Sequence, residues 1–177
     1  LTYRNPTLLE ERYRKPGTGD QEPWDRWVFY LIKVLFVVWA FVMPLDARRF
    51  GWTAVFPLWL RTVGGIALLP SAYLLFESFA QNPFLSPLVR IQSERKHRVI
   101  TTGVYGWVRH PMYLGSLVMF FGAPLLLGSL YGLAIAGAVL VVMAGRIIGE
   151  ERMLTQRLEG YAAYQRKVRY RLVPLIW

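Results

Sequence analysis

Long apolar runs alternate with short polar ones along this chain of 177 residues. Four of the runs read as helices able to cross a bilayer. The first covers Trp27–Met43 and is interrupted by Lys33, whose stem can lie on apolar surface while its ammonium reaches water. The second covers Val55–Phe79 and contains Arg61, Pro70 and Glu77. The third, Met112–Leu127, and the fourth, Tyr131–Ile148, are short against the roughly 20 helical residues that a hydrocarbon core demands. The stretch "LLLGSLYG" (residues 125–132) leaves room only for a tight turn between them, so the last two spans are predicted to form a helical hairpin. The expected fold is all-α and integral to the membrane, with four transmembrane helices in a single domain. That domain holds an N-terminal segment and two spans (1–79), followed by a hairpin-bearing region (80–177).

Composition agrees. Apolar residues make up 54% of the chain, with seven Trp, ten Tyr and ten Phe, more than a soluble domain of this size carries. The 21 Lys and Arg against 11 Asp and Glu must then sit between the apolar runs. Residues 1–26 hold five basic side chains, 80–112 five and 149–177 six, whereas the alternate connections hold two (Arg48 and Arg49) and none. This alternation fits four spans with both described ends on the cytoplasmic side, near anionic headgroups. A nucleic-acid binder shares the basic balance but not the long charge-poor stretches, and no nucleic-acid partner is expected. The absence of Cys excludes disulfides and thiolate chemistry, and two histidines, His97 and His110, cannot build a multi-histidine metal site. No metal is expected. Leu1 in place of Met suggests that further residues precede it, another span among them.

Two polar clusters stand out. In "GVYGWVRHPMYLGS" (residues 103–116), Arg109, His110 and Tyr113 crowd around Pro111 at the mouth of the third span. Pro111 suits a first helical turn, where its missing N–H costs nothing, and His110 then lies beside the cap. Gly115, one turn inside, permits a close approach by backbone or ligand. The preceding segment, residues 82–111, contains Pro83, Pro87, Gly103, Gly106 and a β-like "RVITTG" (98–103), and reads as a folded connection; Asn82, Arg90 and Gln92 are placed to close a cavity from above. The second cluster opens "RIIGEERML" at the end of the fourth span. Arg146 and Glu150, four apart, share a helix face, and Glu151 is about 100° around. A charge within a span marks a functional candidate. Hairpin topology brings Arg109, His110, Tyr113, Arg146, Glu150 and Glu151 to one end, where they can line one cavity. "RKPGTGDQEPWD" (14–25) reads as an exposed turn-rich connection, and "YAAYQRKVRYRL" (161–172) as an interfacial helix with a headgroup-binding tail.

The order Arg-His-Pro-x-Tyr-x-Gly, about 30 residues of hairpin, a Glu-Glu pair and a terminal Gly-Tyr-x-x-Tyr resembles the membrane methyltransferases of the isoprenylcysteine carboxyl methyltransferase group, related to phospholipid methyltransferases. "NPF" and "VRIQSERKH" further resemble a bacterial branch. The resemblance covers residues 80–177 and implies S-adenosylmethionine as cofactor, held in a cytoplasmic pocket between the pre-hairpin loop, the hairpin and the C-terminal helix. It implies cofactor contacts by Val104, Tyr105, His110, Pro111, Tyr113, Gly115, Glu150 and Glu151. Arg146 and Arg109 are implied at the acceptor, with Arg146 and Glu150 as the catalytic pair. Gly106 stands where the group often has a polar residue. The implied setting is a bacterial inner membrane, and the implied partners are the bilayer and a lipophilic acceptor, a carboxylate favoured by Arg146. Three other readings stay open: a lipid-amine N-methyltransferase with Glu150 as base, an NADPH-dependent membrane reductase using Arg95, Lys96 and Arg98 for a 2′-phosphate, and a non-enzymatic scaffold.

Overall fold

The computed structural model describes residues 6–17 and 19–177. Among these, six α-helices follow one another: α1 (Pro6–Arg12), α2 (Pro23–Pro44), α3 (Leu58–Gln81), α4 (Pro111–Leu127), α5 (Leu130–Arg157) and α6 (Tyr161–Lys167). Three helical segments are long and apolar enough to cross a membrane: Pro23–Phe50, Leu58–Gln81 and Leu130–Arg157. α4 is apolar but only 17 residues long, about 25 Å of helix against a hydrocarbon core of about 30 Å.

No strand occurs among the described residues, which corrects the β-like reading of "RVITTG". Gly103 turns at φ +57°, and the N–H of Val104 donates to Gln81 Oε1 at 3.0 Å instead of to a ladder partner. The following residues coil into a 3-10 turn, Gly103–Gly106, on the end of α3.

Several helix ends carry a local cause. Pro23 and Pro111 occupy first turns. α4 stops at Gly128, whose φ of +79° lets its N–H and that of Ser129 fold back on the Pro124 carbonyl at 2.8 and 2.9 Å. Ser129 then caps α5 by accepting from the Gly132 N–H at 3.0 Å, which completes the predicted hairpin. α2 runs on through Pro44 into a π-helical turn, Leu45–Phe50. There the fully buried Asp46 accepts from Thr53 (N–H and hydroxyl, both 2.7 Å) and from the Ser129 hydroxyl (2.6 Å). The turn of the hairpin is thereby tied to the end of α2.

α4 lies between α3 and α5, and α2 packs on α5. Close approach of α3 and α4 depends on small residues. A Cβ on Gly64 would sit 2.5 Å from the Leu126 nitrogen and 2.6 Å from the Gly122 oxygen. Trp39, Phe120, Val139, Met143 and Ile147 fill the space between α2, α4 and α5, with the Trp39 indole N–H donating to the Phe120 carbonyl at 3.1 Å.

The N-terminal segment is less open than its composition suggests. Asp25 is fully buried, and Glu11 of α1 is buried against Arg90 (2.7 Å) and Ser86 (2.8 Å). Burial alone would raise the Glu11 pKa, but hydrogen bonds from Arg90 and Ser86 outweigh it and hold the carboxyl below its ordinary value. Residues 6–25 therefore brace the loop that follows α3.

Candidate active site

α4 begins where the pre-hairpin loop, the far end of α5 and α6 converge. Between them lies a cavity that opens to the outside at its mouth. Arg109, His110, Pro111 and Tyr113 form one side. Glu150 and Met153 of α5, Tyr105 of the 3-10 turn, and Tyr161 and Tyr164 of α6 form others, and Phe84, His97 and Arg98 stand at the loop side.

The two adjacent glutamates have separate tasks. The Glu150 carboxylate faces the cavity and accepts from the Tyr113 hydroxyl at 2.8 Å through one oxygen; its other oxygen has no protein hydrogen-bond partner among the described residues. Glu151 is turned away and buried. It accepts from Arg109 (2.6 and 3.3 Å), pairs with His110 Nε2 (3.1 Å) and accepts from Arg171 (2.8 Å). Arg109 also donates to the carbonyls of Val168 and Arg169, and the backbone N–H groups of Arg109 and His110 donate to Tyr170 and Arg171. A single carboxylate thus locks the Arg-His-Pro turn, α5 and the C-terminal segment together. Such a network costs several kcal/mol when one partner is removed.

Arg146 is likewise committed. Its Nε donates to Asp25 at 2.8 Å and its Nη2 to the Pro87 carbonyl at 2.6 Å, and its guanidinium lies 5.8 Å from the centre of the Tyr113 ring. Of the residues proposed for the site from sequence, Asn82, Arg90, Tyr105, Arg109, His110, Pro111, Tyr113 and Glu150 line the cavity, and Gln92 does not. Arg146 and Glu151 stand behind the wall, bracing it. Val104 is buried with its N–H on Gln81, and Gly115 faces α3, where a Cβ would meet Leu74 and Leu75 at 3.1 Å. Neither is among the residues that line the cavity, and motif spacing does not reveal which face of α4 abuts a neighbouring helix.

Sequence reading missed Phe84, His97, Tyr161 and Tyr164 as lining of the cavity, and Asp25 as the partner of Arg146 behind it. The interfacial-helix reading of 161–172 is corrected: Tyr161 and Tyr164 are buried with Leu158 and Val168, and the Tyr164 hydroxyl donates to the Tyr105 carbonyl at 2.7 Å. Burial pushes both phenols upward, and that of Tyr105 to about 12, so all three stay protonated donors at neutral pH. His97 stacks on Phe84 at 4.7 Å between ring centres; burial, aided by Arg90 and Arg95, lowers its pKa to about 4 and keeps it neutral. The available signals were a tyrosine pair at helical spacing and an Asp beside tryptophan at a span edge.

The family model described as phospholipid methyltransferase matches residues 60–160, more than half of the chain. The chain belongs to the phospholipid methyltransferase family. It is 29% identical over 140 residues to protein-S-isoprenylcysteine O-methyltransferase B of Arabidopsis thaliana, covering 78% of this chain and 68% of that one. It is 38% identical over 85 residues to the protein-S-isoprenylcysteine O-methyltransferase of Saccharomyces cerevisiae, covering 47% of this chain and 36% of that one. The fold is similar to that of the eukaryotic intramembrane Ras methyltransferase, an isoprenylcysteine carboxyl methyltransferase. The TM-score is 0.64 at 24% identity, over 83% of this chain and 53% of that structure. The family member described here thus spans about half the length of that solved relative.

Proposed function

We propose that the chain transfers a methyl group from S-adenosylmethionine to a carboxylate on a lipophilic acceptor that reaches the cavity from the bilayer. The observation that carries this reading is the Glu150 carboxylate, exposed to an aromatic-walled cavity with one oxygen uncommitted. That donor set fits a cationic sulfonium cofactor: a carboxylate for its charge or hydroxyls, and Tyr105, Tyr161 and Tyr164 for flat contact. When bound, the cofactor supplies an electrophilic methyl carbon. The protein's share is placement. His110, locked by Glu151, and Tyr113, locked by Glu150, hold the mouth of α4 fixed, and positioning of this kind lowers barriers by about 7–11 kcal/mol. A carboxylate acceptor needs no base, which suits a site where Glu150 accepts from Tyr113. The substrates named for the curated relatives support the acceptor class.

α4 serves as a fourth span in this reading, and the excess of basic residues in the loops around the cavity supports a cytoplasmic side for it. A lipid amine is the second acceptor to test, favoured by the family model; there the uncommitted Glu150 oxygen would take the proton.

The test is calorimetric titration of detergent-purified protein with S-adenosylmethionine, beside Glu150→Gln and with NADPH as competitor. Binding by the parent, weakened about tenfold or more in Glu150→Gln, is expected, since hydrogen bonds to a charged group contribute about 1.5–3 kcal/mol. Binding of NADPH alone would overturn the reading.

A further inference from the structure

Charges are unevenly shared between the N-terminal segment and the loop after α3. Glu11 and Glu94 both turn to Arg90, which also takes Asp20, so three carboxylates meet one guanidinium. Their sequence neighbours, Arg12 and Arg95, form no ion pair among the described residues and lie on phenylalanine rings instead. The Arg12 guanidinium is 5.0 Å from the centre of the Phe79 ring and donates through Nη2 to the Phe79 carbonyl at 2.8 Å. The Arg95 guanidinium is 5.6 Å from the centre of the Phe84 ring and donates through Nη1 to Gln92 Oε1 at 2.5 Å. Phe79 belongs to the last turn of α3 and Phe84 follows just beyond it, so the two cations flank one helix end.

Two cations without a counter-charge at one helix end repel each other. The Arg12 pKa is lowered, first by burial and then by the charge of Arg95, although a guanidinium stays protonated at neutral pH. Its Nε is buried without a hydrogen-bond partner. Nη1 of Arg12 and Nη2 of Arg95 donate to nothing among the described residues. A phosphate group placed there would accept from both guanidiniums and remove the repulsion, a match for which the planar arginine fork is suited. The carboxylates next to the pair in sequence are held by Arg90, so a headgroup carrying its own ammonium finds no counter-charge from them.

α3 is one of the segments able to cross a bilayer. Leu69, Tyr73, Phe76 and Phe79 recur along it at helical spacing, all exposed, and follow one face up to the ring on which Arg12 lies. From Leu69 to Phe79 the helix rises about 15 Å, half of a hydrocarbon core of about 30 Å and so the depth of one leaflet. An acyl chain laid along this face brings its phosphate to the two guanidiniums. We propose that Arg12 and Arg95 bind the phosphate of an anionic phospholipid whose acyl chain lies along α3. This site goes beyond the methyl transfer proposed above and does not depend on it. It borders the cavity nonetheless, because the Phe84 ring that carries Arg95 also stacks on His97, and both rings line the cavity.

The experiment is native mass spectrometry of the full chain, released from a neutral detergent and titrated with dioleoylphosphatidylglycerol or dioleoylphosphatidylcholine. The parent is expected to retain one phosphatidylglycerol severalfold more tightly than phosphatidylcholine; equal retention of the two overturns the inference. Arg12→Gln combined with Arg95→Gln should weaken that binding about twentyfold, since each basic side chain near anionic lipid contributes about fivefold. Arg48→Gln combined with Arg49→Gln removes the same charge from an exposed turn after α2 and should leave it unchanged. Equal weakening in both double variants, or none in the first, overturns the inference. Displacement of the lipid by inorganic phosphate at the same concentration would make this a site for a free anion and overturns the lipid assignment. Should the first double variant not fold, Arg95→Gln alone carries the test, because the one protein hydrogen bond of that guanidinium goes to the Gln92 side chain. A loss of about fivefold is then expected, and parent-like affinity contradicts the site.

Discussion

Adjacent Glu150 and Glu151 differ in what one substitution does. Glu151 is buried among Arg109, His110 and Arg171, so Glu151→Gln leaves cations uncompensated and should cost about 3–5 kcal/mol of stability. Glu150→Gln, at the cavity wall, should preserve the thermal midpoint and weaken donor binding. Thermal unfolding in detergent read beside calorimetry separates the two; similar midpoints would contradict the division. A pH dependence follows from His97. Folded, it titrates at about 4 because it is buried, whereas an unfolded histidine titrates at about 6.5. Between these values the unfolded chain binds more protons, so stability is complete above pH 6.5 and declines as pH falls towards 4. His97→Gln should flatten the profile between pH 6.5 and 5; an unchanged slope would assign the effect elsewhere. His110, Tyr113 and Glu150 could be found from sequence because charge and hydrogen-bonding groups at a span mouth are costly without a task. Asp25 could not, since its meaning lies in a partner 121 residues on.

Among elements, the hairpin was legible because a Gly-Ser turn between two apolar runs leaves few alternatives. The loop before it was not. "RVITTG" has β-branched residues at strand spacing, but the Gln81 side chain on α3 claims the Val104 N–H and draws the chain into a turn. Nor did spacing reveal that α3 and α4 meet through glycine. Gly64→Ala would push a methyl into the α4 backbone and should cost about 1–3 kcal/mol. Gly137, with nothing within 4 Å of its Cβ position, is the control: Gly137→Ala should stabilise α5 by about 0.5–1 kcal/mol. Opposite shifts of the thermal midpoint are expected; equal shifts would mean that contact between the helices is not what Gly64 provides.

For the whole molecule, the proposed four-span arrangement predicts which loops share a face of the bilayer. The chain contains no cysteine, so single replacements report on sidedness directly. Lys96→Cys and Arg48→Cys should react with an impermeant maleimide from opposite faces of sealed vesicles, Lys96→Cys from the cytoplasmic one; labelling from the same face would refute the four-span arrangement. Whether this family member makes an ester is settled by supplying S-adenosylmethionine labelled in its methyl group together with N-acetyl-S-farnesylcysteine, and treating the extracted product with alkali. Label released as volatile methanol, and reduced about tenfold or more with Glu150→Gln at subsaturating donor, is the expected result. Label retained in an alkali-stable lipid would contradict carboxyl methylation and make the acceptor an amine.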